Sequence, residues 1–211
     1  MKTTFRLLIS VMFALATFIQ HSSVSANEIF KFRGESVNAF FTNTDGCIET
    51  SVFVAATQGA SQSPPGPGSP VSQVVLFISQ FDLCAGERLV SAESVSTVPE
   101  ADFQVAKMLG QATLNTTVTV TDFASDPPAS FDVFIDLTWT GVGPLSRQNN
   151  NSHFITPPDC VIHNRFQGTS RTAEASGSVS DGFVNYTPQP SVEAFILSAN
   201  SGTAIIGCTP E

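Results

Sequence analysis

The residues with the clearest chemistry are four cysteines, and their spacing indicates disulfide bonds rather than a metal site. They are Cys47, Cys84, Cys160 and Cys208. No two of them stand two to four residues apart, which is the spacing that a zinc knuckle requires. If the chain is exported, an even number of cysteines favours two disulfides, for which three connectivities are possible.

One of these connectivities follows from a predicted hairpin. Two apolar stretches, residues 47–57 and 71–84, flank residues 63–70, whose prolines and glycines are typical of a hairpin tip. In an antiparallel ladder, residues equally far from the tip face each other, and Cys47 and Cys84 are nearly equidistant from it. The sequence therefore predicts a bridge between Cys47 and Cys84, which leaves Cys160 to pair with Cys208.

Acidic residues offer two candidate sites. Asp132 and Asp136 share one face of a predicted strand, but four residues of strand span about 13 Å. The carboxylates of glycosidases lie about 5–9.5 Å apart, so this pair is interpreted as solubilising. Asp122, Asp126 and Asp132 surround one predicted loop and carry the oxygen ligands that calcium prefers. Calcium is the one cofactor that the sequence suggests, although the spacing is not that of a helix–loop–helix site.

Histidines offer little for catalysis. His153 and His163 have Asp159 between them, a set that could form a metal triad, but no short ligand motif is present. The Gly-x-Ser-x-Gly elbow of α/β-hydrolases does not occur either. The enzymatic alternative is a secreted hydrolase assembled from distant strands, with Asp132 or Asp136 and His163 as its candidate residues.

Aromatic residues bear on a second alternative, a carbohydrate-binding module. Sugar-binding surfaces commonly expose Trp or Tyr, and this chain has one of each, Trp139 and Tyr186. Trp139 lies in the apolar register of its strand and is predicted to be in the core. Phe40, Phe41 and Phe134 fall on opposite strand faces, so some phenylalanines are expected to form an exposed interaction patch.

The elements that position these residues are predicted to be strands, because the dominant hydrophobic period is two. Residues 112–122 and 131–140 alternate most clearly and are predicted to form a hairpin around Pro127 and Pro128. Residues 99–109 are the one place where a helix is conceivable. Further strands are predicted at residues 30–42, 48–57, 71–83, 88–97, 103–108, 161–172, 174–179, 192–199 and 203–207. This spacing favours an antiparallel β-sandwich of roughly 8–11 short strands.

A faint internal similarity is also present. Residues 31–36 read Lys-Phe-Arg-Gly-Glu-Ser, and residues 165–170 read Arg-Phe-Gln-Gly-Thr-Ser. A duplication would place two similar strands in pseudo-symmetric positions.

The first 26 residues are predicted to be a secretory signal peptide, followed by a single domain over residues 27–211. Lys2 and Arg6 precede an apolar stretch over residues 7–19, and small residues end the segment at Ala26. After cleavage no apolar run is long enough to span a membrane as a helix.

The net charge of the chain excludes some classes of binding partner. Charged residues are 13% of the chain, against about 25% in ordinary domains, and the formal net charge is −9. Loss of Lys2 and Arg6 leaves 7 bases against 18 acids, a formal charge of −11. This charge argues against nucleic acid and anionic membranes as partners. The sequence predicts a secreted, extracellular, non-enzymatic binding or structural protein with an unknown protein or glycan partner. Its working surface is predicted at residues 61–70 and 143–158.

Overall fold

The fold is all-β, as the alternating pattern predicts. The computed structural model describes residues 28–62, 71–156 and 160–208. The strands are β1 (Glu28–Asp45), β2 (Ile48–Gln62), β3 (Val71–Asp82), β4 (Glu87–Val98), β5 (Phe103–Val105), β6 (Gln111–Asp122), β7 (Ala129–Thr156), β8 (Cys160–Ser180) and β9 (Ser191–Cys208). The segment where a helix is conceivable contains two 3₁₀ turns, Glu100–Asp102 and Lys107–Leu109.

The nine strands form one antiparallel sheet in the order β4-β3-β2-β1-β9-β8-β7-β6-β5. The sheet also closes on itself, because β4 pairs with β6 through Ala92–Asp122 and Glu93–Thr121. The nine strands therefore form one continuous sheet, and the predicted sandwich of two stacked sheets is not confirmed. Alternation shows which face of each strand is buried. That face is buried equally when one sheet closes on itself and when two sheets stack, so the alternation alone does not distinguish the two arrangements.

The core lies inside the closed sheet. In β6 the inward residues alternate with exposed ones from Gln111 to Val120, and in β7 they alternate with exposed or half-buried ones from Asp132 to Thr140, as the sequence predicts. Trp139 is fully buried, and its indole N–H donates a 2.9 Å hydrogen bond to the carbonyl oxygen of Asn38. Because β7 and β1 are not neighbours in the sheet, this bond connects two opposite walls across the interior.

Several strands are longer than predicted, and bulges explain the difference. Residues 161–172 and 174–179 are one strand, β8, and residues 192–199 and 203–207 are one strand, β9. The β8–β9 register shifts between Gln167 and Gly168 and again between Ala173 and Ala175. A bulge inserts a residue and reverses the inward–outward alternation, so a continuous strand looks interrupted in the sequence.

The two similar segments flank the same strand. Gly34 in residues 31–36 and Gly168 in residues 165–170 both pair with Ala199 of β9, one from each side. The two segments thus occupy equivalent positions next to β9, and each meets a register shift there.

Gly34 is required by a close approach between β1 and β2. It pairs with Gly59, and its φ is +157°. A Cβ atom on either residue would overlap the backbone of the opposite strand. Glycine at both positions lets these two backbones lie closer than side chains would permit.

The predicted bridge between Cys47 and Cys84 is confirmed. Their Cα atoms are 5.5 Å apart, and the N–H of Leu83 donates to the carbonyl oxygen of Cys47 beside the bond. Cys160 and Cys208 are direct backbone partners in the β8–β9 ladder. The side chains of Cys160 and Cys208 lie outside the described part of the structure, so the bond between them stays a prediction.

Candidate binding surface

The structure does not show a loop surface at residues 61–70 and 143–158, the two segments where the sequence predicts the working surface. Residues 63–70 lie outside the described residues, as do residues 157–159. Residues 143–156 are not a loop, because they continue β7 and pair with β8 from Ser146 to Thr156. The asparagine-rich sequence has no apolar alternation, yet backbone hydrogen bonds alone can hold such a stretch in a ladder. The candidate surface therefore has to be sought on the sheet.

The outer face of β1, β2 and β3 carries three adjacent phenylalanines, which we call the aromatic row: Phe40, Phe53 and Phe77. Phe40 pairs with Phe53, and Phe53 pairs with Phe77. The rings of Phe53 and Phe77 lie with centroids 6.3 Å apart and planes at 36°. Phe40 is 40% exposed, and the other two are half-buried. The expected exposed phenylalanines are thus present, and Phe41 faces the core instead.

A row of hydroxyl groups lies beside the aromatic row on the same face. Ser51 pairs with Ser79, and Ser79 pairs with Ser91 of β4. Ser51 and Ser79 lie two residues from Phe53 and Phe77, and Ser91 lies two residues from Glu93, the partner of Phe77, so all three side chains point to the same side of the sheet as the aromatic row. We call these three residues the hydroxyl row.

The two rows line a shallow depression of about 260 Å³, bordered by Arg88 and Glu93. We call this depression the aromatic groove. Pockets that enclose a small ligand have volumes of about 300–1,000 Å³. The aromatic groove is smaller and open to the outside, so its shape suits one side of a larger molecule.

The side chains that line the aromatic groove are mostly phenylalanine rings and serine hydroxyl groups. Among the described residues that line it, Arg88 and Glu93 are the only titratable side chains. General acid–base catalysis needs a positioned proton donor and acceptor, and a serine nucleophile needs an adjacent base. The groove instead offers ring faces for apolar contacts and hydroxyl groups for hydrogen bonds.

The residues predicted for a hydrolase are not brought together. Asp132 and Asp136 are exposed on β7, where Asp132 accepts a 2.7 Å hydrogen bond from the Thr119 hydroxyl. Asp136 pairs with Ser178, and His163 lies 15 residues before Ser178 on β8. At about 3.3 Å per residue, this distance is about 50 Å of strand.

The two histidines are closer to each other than the sequence suggests. His153 lies in β7 rather than in a loop, and its backbone pairs directly with that of His163. Their side chains, and Asp159 altogether, lie outside the described residues, so the metal triad remains only a prediction.

The acids predicted for calcium do not form a ligand group. One carboxylate oxygen of Asp122 accepts 2.9 Å hydrogen bonds from the N–H groups of Ser91 and Ala124, which makes it a turn-capping residue. Asp126 and Asp132 do not join it in a set of ligand atoms within 4.8 Å.

Elsewhere in the described chain, one such ligand set does occur, and it is formed by Cys47, Asp82 and Cys84. Its two sulfur atoms are already bonded to each other, so they are not thiolate ligands.

The connection between β8 and β9, residues 181–190, is fixed by one carboxylate. Asp181 accepts hydrogen bonds from the N–H groups of Phe183 and Val184, at 2.9 and 2.8 Å, and from the Tyr186 hydroxyl at 2.7 Å. Burial alone would raise the pKa of Asp181, but these bonds hold that pKa below its usual value. The Tyr186 ring is buried against the core, so it does not present an exposed face to a sugar.

Replacing Tyr186 with phenylalanine is expected to lower the unfolding free energy by about 1.5–3 kcal/mol at pH 7, because a bond to a charged acceptor is lost. Burial and the Asp181 hydrogen bond raise the pKa of Tyr186. The pKa of Tyr186 in the folded chain is higher than its value of about 10 in the unfolded chain. The protonated hydroxyl therefore contributes its full stabilisation below about pH 10, and this contribution falls as the pH rises above 10. Urea unfolding between pH 7 and 11 should show an alkaline decline in the parent chain that is smaller in the variant. Parallel profiles would contradict the assignment.

The sequence pattern missed the aromatic groove, although a signal exists. In β2, Phe53 stands between the buried residues Val52 and Val54, so the strand is apolar on both faces. A strand with only one buried face should be polar at such a position. Apolar residues on the outer face of several neighbouring strands would indicate such a groove, but only if the pairing register of those strands were known.

Comparison with known proteins gives no further guidance: no protein-family model, no curated protein and no solved structure matches this chain. Within the described residues, no helix has the length and apolar character needed to cross a membrane.

Proposed function

We propose that this chain is a secreted, non-enzymatic binding protein whose aromatic groove docks an apolar segment of an extracellular protein. The observation that carries the proposal is the partly exposed aromatic row on the outer face of the sheet. Aromatic residues are enriched at the energetic centres of protein interfaces, and exposed apolar patches with polar rims mark such interfaces. The leader-like first 26 residues and the bond between Cys47 and Cys84 support an extracellular location.

The rim of the groove indicates the charge of the partner. Glu193 of β9 pairs with Phe40, and Glu93 of β4 pairs with Phe77, so an acid flanks each end of the aromatic row. Arg88 is the one base that lines the groove in the described part of the chain. A partner with lysine or arginine around an apolar centre complements this arrangement.

The proposal is tested by selecting peptides from a phage-displayed library on the oxidised protein, residues 27–211. We expect peptides that combine an aromatic or aliphatic residue with lysine or arginine. The double variant Phe53→Ser/Phe77→Ser should weaken their binding at least tenfold, since truncating an interface anchor costs about 2 kcal/mol or more.

The matched control is Phe134→Ser, because Phe134 is 43% exposed, close to the value for Phe40, but lies on β7. It should leave peptide affinity unchanged, and circular dichroism melts should confirm that all variants fold. The single variant Phe40→Ser gives a second measurement if the double variant does not fold. Failure to select any peptide, or equal affinity for parent and folded variants, would reject the proposal.

A carbohydrate-binding module is the second candidate, and the hydroxyl row favours it. Sugar rings have an apolar face and hydroxyl edges, which would match an aromatic row beside a hydroxyl row. Binding on a glycan array that Phe53→Ser/Phe77→Ser abolishes, without any selected peptide, would favour this candidate over a protein partner.

A further inference from the structure

Four connections meet at one end of the closed sheet. The strands β1, β3, β6 and β8 end there, and β2, β4, β7 and β9 begin there. The connections are residues 46–47, 83–86, 123–128 and 181–190. Together with the strand residues next to them, we call this region the loop end.

The loop end is rich in exposed apolar side chains. Of twelve large hydrophobic residues that are exposed in the described chain, six lie here, and Phe183 is 97% exposed. The six are Leu83, Leu89, Phe123, Phe183, Val184 and Val192. Single exposed apolar residues are ordinary, but this concentration at one end is typical of an interaction surface.

Two of the connections are tied to their neighbours. The N–H of Phe123 donates a 2.9 Å bond to the Ser91 carbonyl, which joins the β6–β7 connection to the start of β4. Phe134, near the start of β7, pairs with Ser180, the last residue of β8, so the connections next to these two strand ends are neighbours. The β6–β7 and β8–β9 connections are therefore close enough to act as one surface.

The most exposed aromatic residue is held on an ordered loop. Asp181 binds the N–H groups of Phe183 and Val184, and the buried Tyr186 anchors the same loop to the core. The Thr187 hydroxyl also accepts a bond from the N–H of Val179 in β8. A preorganised aromatic residue loses little conformational entropy on binding, which favours its use as an anchor.

The charge at the loop end is strongly negative. Eight acids lie in the connections or within three strand residues of them, and Arg88 is the one base among the described residues there. The acids are Asp45, Glu49, Asp82, Glu87, Asp122, Asp126, Asp181 and Glu193. An anionic membrane or a nucleic acid would be repelled by this surface, whereas a basic protein would be attracted.

We infer that the loop end is a second docking surface, separate from the aromatic groove, which binds a basic amphipathic protein segment with Phe183 as its apolar anchor. The carboxylates of the loop end attract lysine and arginine side chains, and the Phe183 ring inserts between apolar residues of the partner. This surface shares Arg88 with the border of the aromatic groove, but its apolar residues are different and it carries more acids than the two that flank the aromatic row.

The probe is a fluorescein-labelled peptide of alternating leucine and lysine pairs, with a glutamate-for-lysine peptide as its matched control. Fluorescence anisotropy should show binding of the lysine peptide alone to the oxidised protein, weakening as salt rises from 50 to 300 mM. Phe183→Ser should weaken binding about fivefold or more, and Asp45→Asn/Asp126→Asn should reduce its salt dependence. Met108→Ser, at a 71% exposed residue near the opposite end, should change nothing.

Two further measurements distinguish binding at the loop end from binding in the aromatic groove and from binding to a lipid surface. The groove variant Phe53→Ser/Phe77→Ser should bind the peptide normally, and a loss there would move the binding to the groove and overturn the inference. Flotation with neutral phosphatidylcholine vesicles should show no association that depends on Phe183. Vesicle binding without peptide binding would replace the protein partner with a lipid surface. Unchanged affinity in Phe183→Ser would also overturn the inference.

Discussion

Replacing Trp139 with alanine is expected to lower the unfolding free energy by about 3–5 kcal/mol, the usual cost of truncating a buried aromatic side chain. Trp139 is fully buried, so the substitution leaves a cavity in the core. It also removes the hydrogen bond that joins β7 to the carbonyl of Asn38 on β1. Native domains have only about 5–15 kcal/mol of stability, so the variant should lie close to unfolding.

Trp139→Phe separates the two contributions. It keeps an aromatic ring in the core but leaves the Asn38 carbonyl without the indole donor, at an expected cost of about 1–3 kcal/mol. Urea unfolding followed by far-ultraviolet circular dichroism measures both variants, because the chain has no other tryptophan to report by fluorescence. A midpoint for Trp139→Ala close to that of the parent would contradict the proposed core position.

The strands that the sequence predicts best are those with one buried and one exposed face. In β6, buried Leu114 and Val118 alternate with exposed Asn115 and Thr117, and the period of two identifies the strand without any tertiary information. The same information cannot show that β4 returns to pair with β6. Only two residue pairs make that connection, and nothing in their identity specifies a partner so distant in sequence.

The aromatic groove was unpredictable for a related reason. Phe40, Phe53 and Phe77 belong to three strands, and their adjacency depends on two registers that must both be known. The pairing of Cys47 with Cys84 was predictable, because it depends on the geometry of one hairpin alone. Local geometry was therefore accessible from the sequence, whereas a surface assembled across several strands was not.

Removing the bond between Cys47 and Cys84 is expected to lower the unfolding free energy by about 4 kcal/mol. The two residues are separated by 37 positions. In the entropic model, a bond that closes a loop of this length raises the free energy of the unfolded chain by about 4 kcal/mol. Cys47→Ser/Cys84→Ser should therefore unfold at a clearly lower urea concentration than the parent.

The matched control is Cys160→Ser/Cys208→Ser, which removes the second predicted pair. Unreduced peptide mapping of the parent should first recover Cys47 joined to Cys84 and Cys160 joined to Cys208. A peptide that joins Cys47 to Cys160 or Cys208 would contradict both the pairing and the hairpin on which it was based.

The position of the first bond gives the experiment a structural as well as an energetic readout. It links the β1–β2 and β3–β4 turns, and the strands that follow these turns, β2 and β4, supply Ser51 and Arg88 to the aromatic groove. Loss of the bond should loosen both turns before the β6–β7 hairpin, because β6 and β7 hold each other through twelve paired residues. Hydrogen exchange in Cys47→Ser/Cys84→Ser should therefore accelerate more in residues 45–50 and 80–90 than in residues 112–122. Equal acceleration in all three segments would mean that the bond stabilises the whole sheet rather than this end of it.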